Sequence, residues 1–253
     1  MNGAPTAVLF DVDGTLVDSN YLHAVCWWDA LIQAGHDVPM ARIHRAIGMG
    51  SDQLLDALLP PDRDRDADDG IRAAHGALYA TYWSRQRPLA GAPELLRACK
   101  DQGLRVVLAS SADSREFAAL RAALNADDAV DDVTSSGDVD RSKPAPDLVQ
   151  VALEKARVRP EEAVFVGDTV WDVQACNEVG VPCIGLLSGG ISREELRDAG
   201  AAEVYLGPGD LLETLADSIL GTGRLLSART AGAHVQRAAR AQGDPGRDRG
   251  VPA

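Results

Sequence analysis

The sequence predicts an α/β fold in which a doubly wound parallel sheet carries an inserted helical segment. Short apolar, β-branched runs alternate with helical patterns along most of the chain, which is typical of parallel strands flanked by helices. The predicted strands lie at residues 6–10, 104–109, 163–166, 183–187 and 203–206. Residues that commonly begin or end helices punctuate the segments between them: Pro93, Gly103, Asp113, Gly180 and Gly200.

One long stretch departs from this alternation. Residues 20–86 contain no convincing strand and show only amphipathic helical patterns. The loops that separate these patterns are predicted at 35–39, 48–51 and 60–70. We interpret 20–86 as a small all-helical domain inserted into a core made of residues 1–19 and 87–220. The alternative is an ordinary helical layer of that core.

Charge is distributed unevenly along the chain. The formal net charge is -13, yet residues 221–253 contain six arginines and two aspartates. We expect this Arg-rich tail to be mostly disordered, because it offers little apolar surface to bury. It is either a solvated extension or a ligand for an acidic partner. The negative balance of the whole chain disfavours nucleic acid and anionic membranes as partners, because both are bound first through Lys and Arg.

The spacing of the cysteines and the lengths of the apolar runs indicate the cellular compartment of the protein. The four cysteines have neither CxxC nor Cys/His ligand spacing, and we expect them to be buried, reduced thiols. No apolar run is long enough to cross a bilayer, and no basic leader precedes the first apolar run at 7–10. We therefore expect a cytoplasmic protein, either a monomer or a homodimer. The histidines form no cluster that predicts a zinc site.

The strongest local signal is the segment DVDGT at residues 11–15, directly after the first predicted strand. A strand end presents alternate side chains toward one crevice, so Asp11 and Asp13 are expected to face the same small volume. Two carboxylates that close repel each other, and Mg²⁺, which prefers oxygen ligands, would compensate their charge. Asp-x-Asp-Gly also occurs in turns and in calcium loops. Against a calcium loop, the twelfth position counted from Asp11 is Leu22 rather than glutamate.

Three later segments are placed to complete a phosphate site. Ser110 follows the second predicted strand, where its hydroxyl and nearby backbone N–H groups can bind phosphoryl oxygens. Lys143 offers a compact cation for an anionic group. Asp168 and Asp172 follow the third predicted strand about one helical turn apart, so both can face one ion. Taken singly, Ser110 could be a helix cap and Lys143 a solvated surface residue, but their joint order favours a single site.

With this combination of motifs, the sequence resembles the haloacid dehalogenase-like phosphatases over nearly all of residues 6–220. The four motifs of that family occur in order: residues 11–15, Ser110, Lys143 and residues 167–172. The resemblance implies a Rossmann-like core. It also implies that the helical segment 20–86 is the family's small cap domain.

The resemblance implies a two-step reaction as well. Asp11 would attack the phosphate and form an aspartyl-phosphate, while Asp13 would act as general acid and then as general base. Mg²⁺ would be held by Asp11, the backbone carbonyl of Asp13, Asp168 and Asp172. The residues implied to bind the phosphate or to orient Asp13 are Gly14, Thr15, Ser110, Ser111 and Lys143.

Differences among branches of the family narrow the reaction. Asp13 excludes the dehalogenases, which lack the second aspartate, and the absence of lysine from 20–86 argues against the branch that cleaves phosphonates through a Schiff base. The fourth motif, which begins Gly167-Asp168, resembles that of phosphoglycolate phosphatases rather than the Glu-Asp form of β-phosphoglucomutase. We therefore expect a phosphatase. The alternatives are a β-phosphoglucomutase-like phosphotransferase and a catalytically silent phosphometabolite-binding or interaction protein.

The inserted domain supplies the candidates for substrate recognition. His23 lies where mutase-like proteins and many sugar-phosphate phosphatases place a histidine that supports the second aspartate, although it could equally serve packing of the cap. Arg42, Arg45 and the 48–51 loop are candidate substrate contacts; the alternative is a solvated helix face and a turn. A cap that encloses its substrate favours a small phosphorylated metabolite, phosphoglycolate or a sugar phosphate, over a phosphoprotein.

Overall fold

Six parallel strands form one sheet in the computed structural model, which describes residues 4–138, 141 and 143–221. The strands are β1 (Ala7–Phe10), β2 (Arg105–Ala109), β3 (Asp132–Thr134), β4 (Ala163–Gly167), β5 (Cys183–Leu186) and β6 (Glu203–Tyr205). Their order across the sheet is β3-β2-β1-β4-β5-β6. This order confirms the predicted doubly wound parallel sheet. The predicted Arg-rich tail beyond residue 221 lies outside the described residues.

Helices cover both faces of the sheet and form the inserted segment. The α-helices of the described residues are α1 (Asn20–Gln33), α2 (Met40–Ala46), α3 (Ser51–Leu58), α4 (Asp68–Ala80), α5 (Ala92–Asp101), α6 (Ser114–Leu124), α7 (Asp147–Ala156), α8 (Val170–Val179), α9 (Arg193–Asp198) and α10 (Pro208–Glu213). None of these helices has the length and apolar character needed to span a membrane.

The central strand β1 is apolar at every position because both of its faces are covered. Val8 and Phe10 belong to one hydrophobic cluster, which includes side chains of α5 and α6. Ala7 and Leu9 belong to a second cluster on the opposite face, with side chains of α7 and α8. Side chains alternate along a strand, so these two clusters are the two packed layers of a doubly wound fold.

Helices α1 to α4 form a layer with its own hydrophobic cluster, which includes Trp27, Leu31, Ile43, Leu55 and Ile71. This helical segment, the cap, lies against the core at the carboxyl ends of the strands. The backbone N–H of Gly50 donates to the carbonyl of Lys143 at 3.3 Å. His44 Nε2 lies 2.9 Å from the carbonyl oxygen of Gly189, in the loop after β5.

Two elements differ from the sequence prediction. Strand β3 was not predicted, because it has three residues and only Thr134 is fully buried, which leaves no readable pattern. Helix α4 begins at Asp68, inside the loop predicted at 60–70, and a short 3-10 helix (Arg65–Ala67) precedes it. The Asp64 side chain caps that 3-10 helix, so the polar run carries helical structure that its composition does not indicate.

Candidate active site

The ends of three adjacent strands bring the motif residues together. Strand β1 pairs with β2 on one side and with β4 on the other, so Phe10 lies opposite both Leu108 and Val166. Asp11 therefore follows β1 level with Ala109, the last residue of β2, and one position before Ser110. Its backbone N–H donates to the carbonyl of Val166 at 2.9 Å, which fixes the start of the loop.

Lys143 forms the buried cationic centre of this site. Its ammonium lies 2.5 Å from Asp11 Oδ1 and 2.7 Å from Asp172 Oδ1, and its side chain is 1% exposed. Although burial alone would lower the pKa of Lys143, the charges of Asp11 and Asp172 raise it above its ordinary value. Lys143 is therefore a permanent positive charge between two carboxylates.

Asp168 is held by hydrogen bonds to both of its carboxylate oxygens. Thr15 Oγ1 donates to Asp168 Oδ1 at 2.7 Å, and Asn20 Nδ2 donates to Asp168 Oδ2 at 2.7 Å. The turn that delivers Thr15 depends on Gly14, which has a φ of +73° and no room for a Cβ against Asn20. Ser188 Oγ donates to the Gly14 carbonyl at 2.7 Å and anchors this turn to the loop after β5.

Asp172 both completes the capping box of α8 with Thr169 and belongs to the acidic cluster. The hydroxyl and backbone N–H of Thr169 donate to Asp172 Oδ2 at 2.6 and 3.1 Å, which forms a capping box at the start of α8. This leaves Oδ1 for Lys143. The DxxxD spacing therefore produces a buried, rigid carboxylate rather than a solvated one.

The carboxylates of Asp11, Asp168 and Asp172 fit a divalent cation. One oxygen from each lies within 4.8 Å of the others, and all three side chains are buried. Burial, opposed by Lys143 and reinforced by Asp172, raises the pKa of Asp11 to about 7. Burial and the neighbouring carboxylates of Asp11 and Asp172 raise the pKa of Asp168. When all three carboxylates are ionised, one ammonium leaves two negative charges for a divalent cation to offset, and the oxygen donors are those preferred by Mg²⁺.

Asp13 faces the cap rather than the acidic cluster. Ser19 Oγ donates to Asp13 Oδ1 at 2.6 Å, and His23 Nε2 lies 3.2 Å from the same oxygen. Burial raises the pKa of Asp13, but the bonds from His23 and Ser19 outweigh it, so the pKa lies below the ordinary value. His23 Nε2 also lies 3.3 Å from Glu116 Oε1. Burial raises the pKa of Glu116 to about 7 against the charge of His23.

A second histidine from the cap adjoins His23. His75 Nε2 lies 3.1 Å from His23 Nδ1, and the His75 ring stacks on Trp27 with centroids 4.1 Å apart. Burial and the charge of His23 hold the pKa of His75 well below its ordinary value. Although burial lowers the pKa of His23, its bond to Asp13 raises it above the ordinary value. His23 is thus the cationic member of the pair.

A cavity of about 440 Å³ lies between the cap and the core. Asp11 and Asp13 line it from the core, together with Ser111. The cap contributes the 48–51 loop and Trp27. A space of this size, lined by carboxylates of the core and by both polar and apolar residues of the cap, fits a small polar ligand.

The remaining predicted residues lie in different surroundings. Ser110 is fully buried, and its Oγ accepts a hydrogen bond from the Ala112 backbone N–H at 3.0 Å, so it shapes the turn after β2. Arg45 lies outside the cavity lining, on the cap surface, and forms an ion pair with Glu195 of α9. Arg42 donates to the Ala57 carbonyl at 3.3 Å, within the cap.

Among the side chains that contact the motif carboxylates or His23, sequence reasoning did not single out Ser19, Asn20, His75, Tyr79 and Glu116. Ser19 and Asn20 lie shortly after the first motif, at the start of α1. A polar pair at the start of a helix so near the motif could have indicated that they contact its carboxylates. His75 and Glu116 belong to no motif. They reach the site only because α4 packs on α1 and α6 begins after β2.

Comparisons with known proteins place this site in a family. The model of haloacid dehalogenase-like hydrolases matches residues 5–180. A phosphoglycolate phosphatase from Rhodospirillum rubrum is 30% identical over 215 residues, which cover 79% of this chain and 87% of that protein. The chloroplastic protein Suppressor of quenching 1 of Arabidopsis thaliana is 29% identical over 207 residues, which cover 80% of this chain but 20% of that longer protein. A solved hydrolase structure from Pseudomonas syringae gives a TM-score of 0.80 at 33% identity and covers 84% of this chain and 98% of that one. The chain is therefore an enzyme that belongs to the haloacid dehalogenase-like hydrolases.

Proposed function

We propose that this hydrolase is a Mg²⁺-dependent phosphatase that acts on a small phosphorylated metabolite through an aspartyl-phosphate. The observation that carries the proposal is the buried contact of Asp11 with Lys143, beside the carboxylates of Asp168 and Asp172, at the cavity between cap and core. Similarity to a phosphoglycolate phosphatase supports the reaction class. Phosphoglycolate is the first candidate substrate, and a sugar phosphate is the second.

In the first step, a carboxylate oxygen of Asp11 attacks phosphorus. A bond forms between that oxygen and phosphorus, while the bond from phosphorus to the ester oxygen breaks. Lys143 contacts Asp11 directly and offsets the negative charge of the group being transferred. Because Lys143 is also held by Asp172, its position is set before substrate arrives.

Asp13 handles the protons in both steps. Because its pKa lies below the ordinary value, Asp13 receives a proton from the cationic His23 and gives it to the departing ester oxygen. It then takes a proton from the water that attacks the aspartyl-phosphate and releases phosphate from Asp11. His23 Nε2 hydrogen-bonds to Asp13 Oδ1, so it orients the carboxyl group and lies within reach to exchange a proton with it. Ser19 restrains the same oxygen from the core side.

The side chains of Asp11, Asp168 and Asp172 and the backbone carbonyl of Asp13 would hold Mg²⁺. When bound, the ion supplies positive charge that stabilises the phosphoryl oxygens in the transition state. The two negative charges that remain when the buried cluster is ionised, and its oxygen-only donors, support a divalent ion of this kind.

The size of the cavity and its position between cap and core support a metabolite rather than a phosphoprotein as substrate. Its volume of about 440 Å³ lies in the range of small-molecule sites. The 48–51 loop of the cap lines it together with Asp11 and Asp13 of the core. We place the activity in the cytoplasm, a proposal supported by four buried free cysteines, which suit a reducing compartment.

The test is phosphate release from a panel of phosphorylated metabolites by the native protein and by Asp11→Asn, each with Mg²⁺ and with excess chelator. We expect release that needs Mg²⁺ and is lost in Asp11→Asn, because the amide cannot act as the nucleophile. Circular dichroism of the variant controls for folding. Release that persists in Asp11→Asn, or in excess chelator, contradicts the mechanism or the metal assignment respectively.

A β-phosphoglucomutase-like phosphotransferase is the second candidate, favoured by the contact of His23 with Asp13. A mutase must return the phosphoryl group to a sugar instead of to water. Isomerisation of a hexose phosphate without net phosphate release would establish this alternative.

A further inference from the structure

We propose that His75 is a positioning residue for the acid and base chemistry of Asp13, acting through His23. This inference rests on the proposed function, because the role of Asp13 is assigned there. His75 holds the ring of His23 so that the Nε2 hydrogen points at the Asp13 carboxylate. No bound group and no change of charge is needed for this role.

The two nitrogens of His23 have partners of different kinds. Nε2 lies 3.2 Å from Asp13 Oδ1 and 3.3 Å from Glu116 Oε1, and because these carboxylate oxygens accept, Nε2 must carry a hydrogen. Nδ1 lies 3.1 Å from His75 Nε2. The hydrogen bond made by one imidazole nitrogen restricts the ring orientation and so fixes where the other nitrogen points.

Ring stacking alone does not fix this orientation. The His23 ring stacks on Tyr79 with centroids 3.8 Å apart and an interplanar angle of 22°. A half-turn of the imidazole exchanges Nδ1 with Cδ2 and Nε2 with Cε1, yet it leaves the stacked area nearly unchanged. The bond to His75 distinguishes the two orientations from the side opposite Asp13, because after the half-turn a carbon faces His75.

His75 itself is held firmly enough to act as a reference point. Its side chain is buried, and its ring is nearly parallel to Trp27, with an interplanar angle of 12°. Both histidines lie on the cap, His23 on α1 and His75 on α4, whereas Asp13 and Glu116 belong to the core. When the cap packs on the core, the imidazole of His23 therefore reaches Asp13 already oriented.

Two variants of His75 separate hydrogen bonding from packing. His75→Phe keeps a ring that can stack on Trp27 but has no nitrogen for His23. His75→Gln gives up the stack but places an amide near the position of Nε2. The readout is kcat/KM for an alkyl phosphate from the metabolite panel and for p-nitrophenyl phosphate, whose leaving group needs no proton.

We expect His75→Phe to lose about 10- to 100-fold in kcat/KM on the alkyl phosphate and far less on p-nitrophenyl phosphate. His75→Gln should retain most of the alkyl activity. Equal losses on both substrates, or a larger loss in His75→Gln than in His75→Phe, would overturn the proposal, because packing would then explain the effect.

A second measurement needs no turnover. With histidines labelled with ¹⁵N, long-range proton–nitrogen correlation spectra report the protonation and the hydrogen bonding of each ring nitrogen of His23. We expect one defined pattern in the native protein and in His75→Gln, and a changed or averaged pattern in His75→Phe. An unchanged pattern in His75→Phe overturns the positioning role. Because this spectrum is independent of activity, failure of the phosphatase proposal remains distinguishable from failure of this one.

Discussion

Lys143 is the residue on which the electrostatic balance of the site depends. Its ammonium separates Asp11 from Asp172, and all three side chains are buried. Removing one partner from a buried ion pair leaves an uncompensated charge, which costs far more than the pair itself contributes. The same geometry that suits phosphoryl transfer therefore also makes the fold depend on Lys143.

We expect Lys143→Met to lower the free energy of unfolding by about 3–5 kcal/mol in the absence of divalent cations. Added Mg²⁺ should restore part of this loss, because it binds the same carboxylates. Urea denaturation with and without Mg²⁺ measures both effects. The matched control is Lys100→Met, which removes a partly exposed ion pair with Asp131 and should cost about 1 kcal/mol or less. Equal stability of the two variants in chelator would contradict this account.

Among the site residues, the sequence predicted those that are close together along the chain or that lie in known motifs. Asp11 and Asp13 were readable because a strand end directs both toward one crevice. His75 and Glu116 were not, because their contacts with His23 depend on how α4 and α6 pack. A residue that acts through another residue carries no spacing signal of its own.

Among the elements, the loop between α2 and α3 shows how the cap packs closely against the core. Gly48 has a φ of +97°, and a Cβ there would lie 2.7 Å from Thr169 Cγ2. Thr169 is buried and caps α8 beside Asp172. The missing side chain thus allows the cap loop to approach the fourth motif closely.

We expect Gly48→Ala to lower kcat/KM by about 10-fold or more, because the added methyl group displaces the loop from Thr169. Gly35→Ala is the matched control, since Gly35 has a φ of +82° but no atom within 4 Å of a Cβ. Both variants bear a similar backbone cost of roughly 1–2 kcal/mol. Steady-state kinetics and urea denaturation of the pair separate the two effects. Similar activity losses in both would remove the assigned role of the Thr169 contact.

The elements that the sequence predicted best are those buried on both faces. Strands β1 and β4 consist of fully buried residues, so each forms a continuous apolar run. Strand β3 lies at the edge of the sheet and pairs only three residues with β2, including Asp132 opposite Val107. Its formation depends on pairing with β2. Three residues, two of them polar, are too few to show the alternation that predicts a strand.

In the whole molecule, the cap contacts the core outside the cavity as well as within it. Arg45 forms a two-pronged ion pair with Glu195 of α9, and Trp171 Nε1 donates to the Arg45 carbonyl at 3.2 Å. His44, stacked on Tyr21 with centroids 4.7 Å apart, reaches the Gly189 carbonyl. These contacts stabilise the closed arrangement, which the proposed reaction needs to exclude bulk water.

We expect Glu195→Arg to lower kcat/KM by up to about fivefold, since two arginines then repel each other across the cap and core surfaces. The double variant Arg45→Glu with Glu195→Arg restores an attractive pair and should recover most of the loss. Steady-state kinetics at low and at high salt measure both, and the loss should shrink at high salt because the pair is exposed and therefore screened.

Arg42→Glu is the matched control for the single variant Arg45→Glu. It lies on the same helix, but its guanidinium donates to the Ala57 carbonyl within the cap, so charge reversal there leaves the contact with α9 intact. If Arg42→Glu lowers kcat/KM as much as Arg45→Glu does, the effect belongs to the general charge of the cap. If the double variant recovers nothing, the pair with Glu195 does not hold the cap closed. Recovery in the double variant alone assigns that role to a contact that lies outside every catalytic motif.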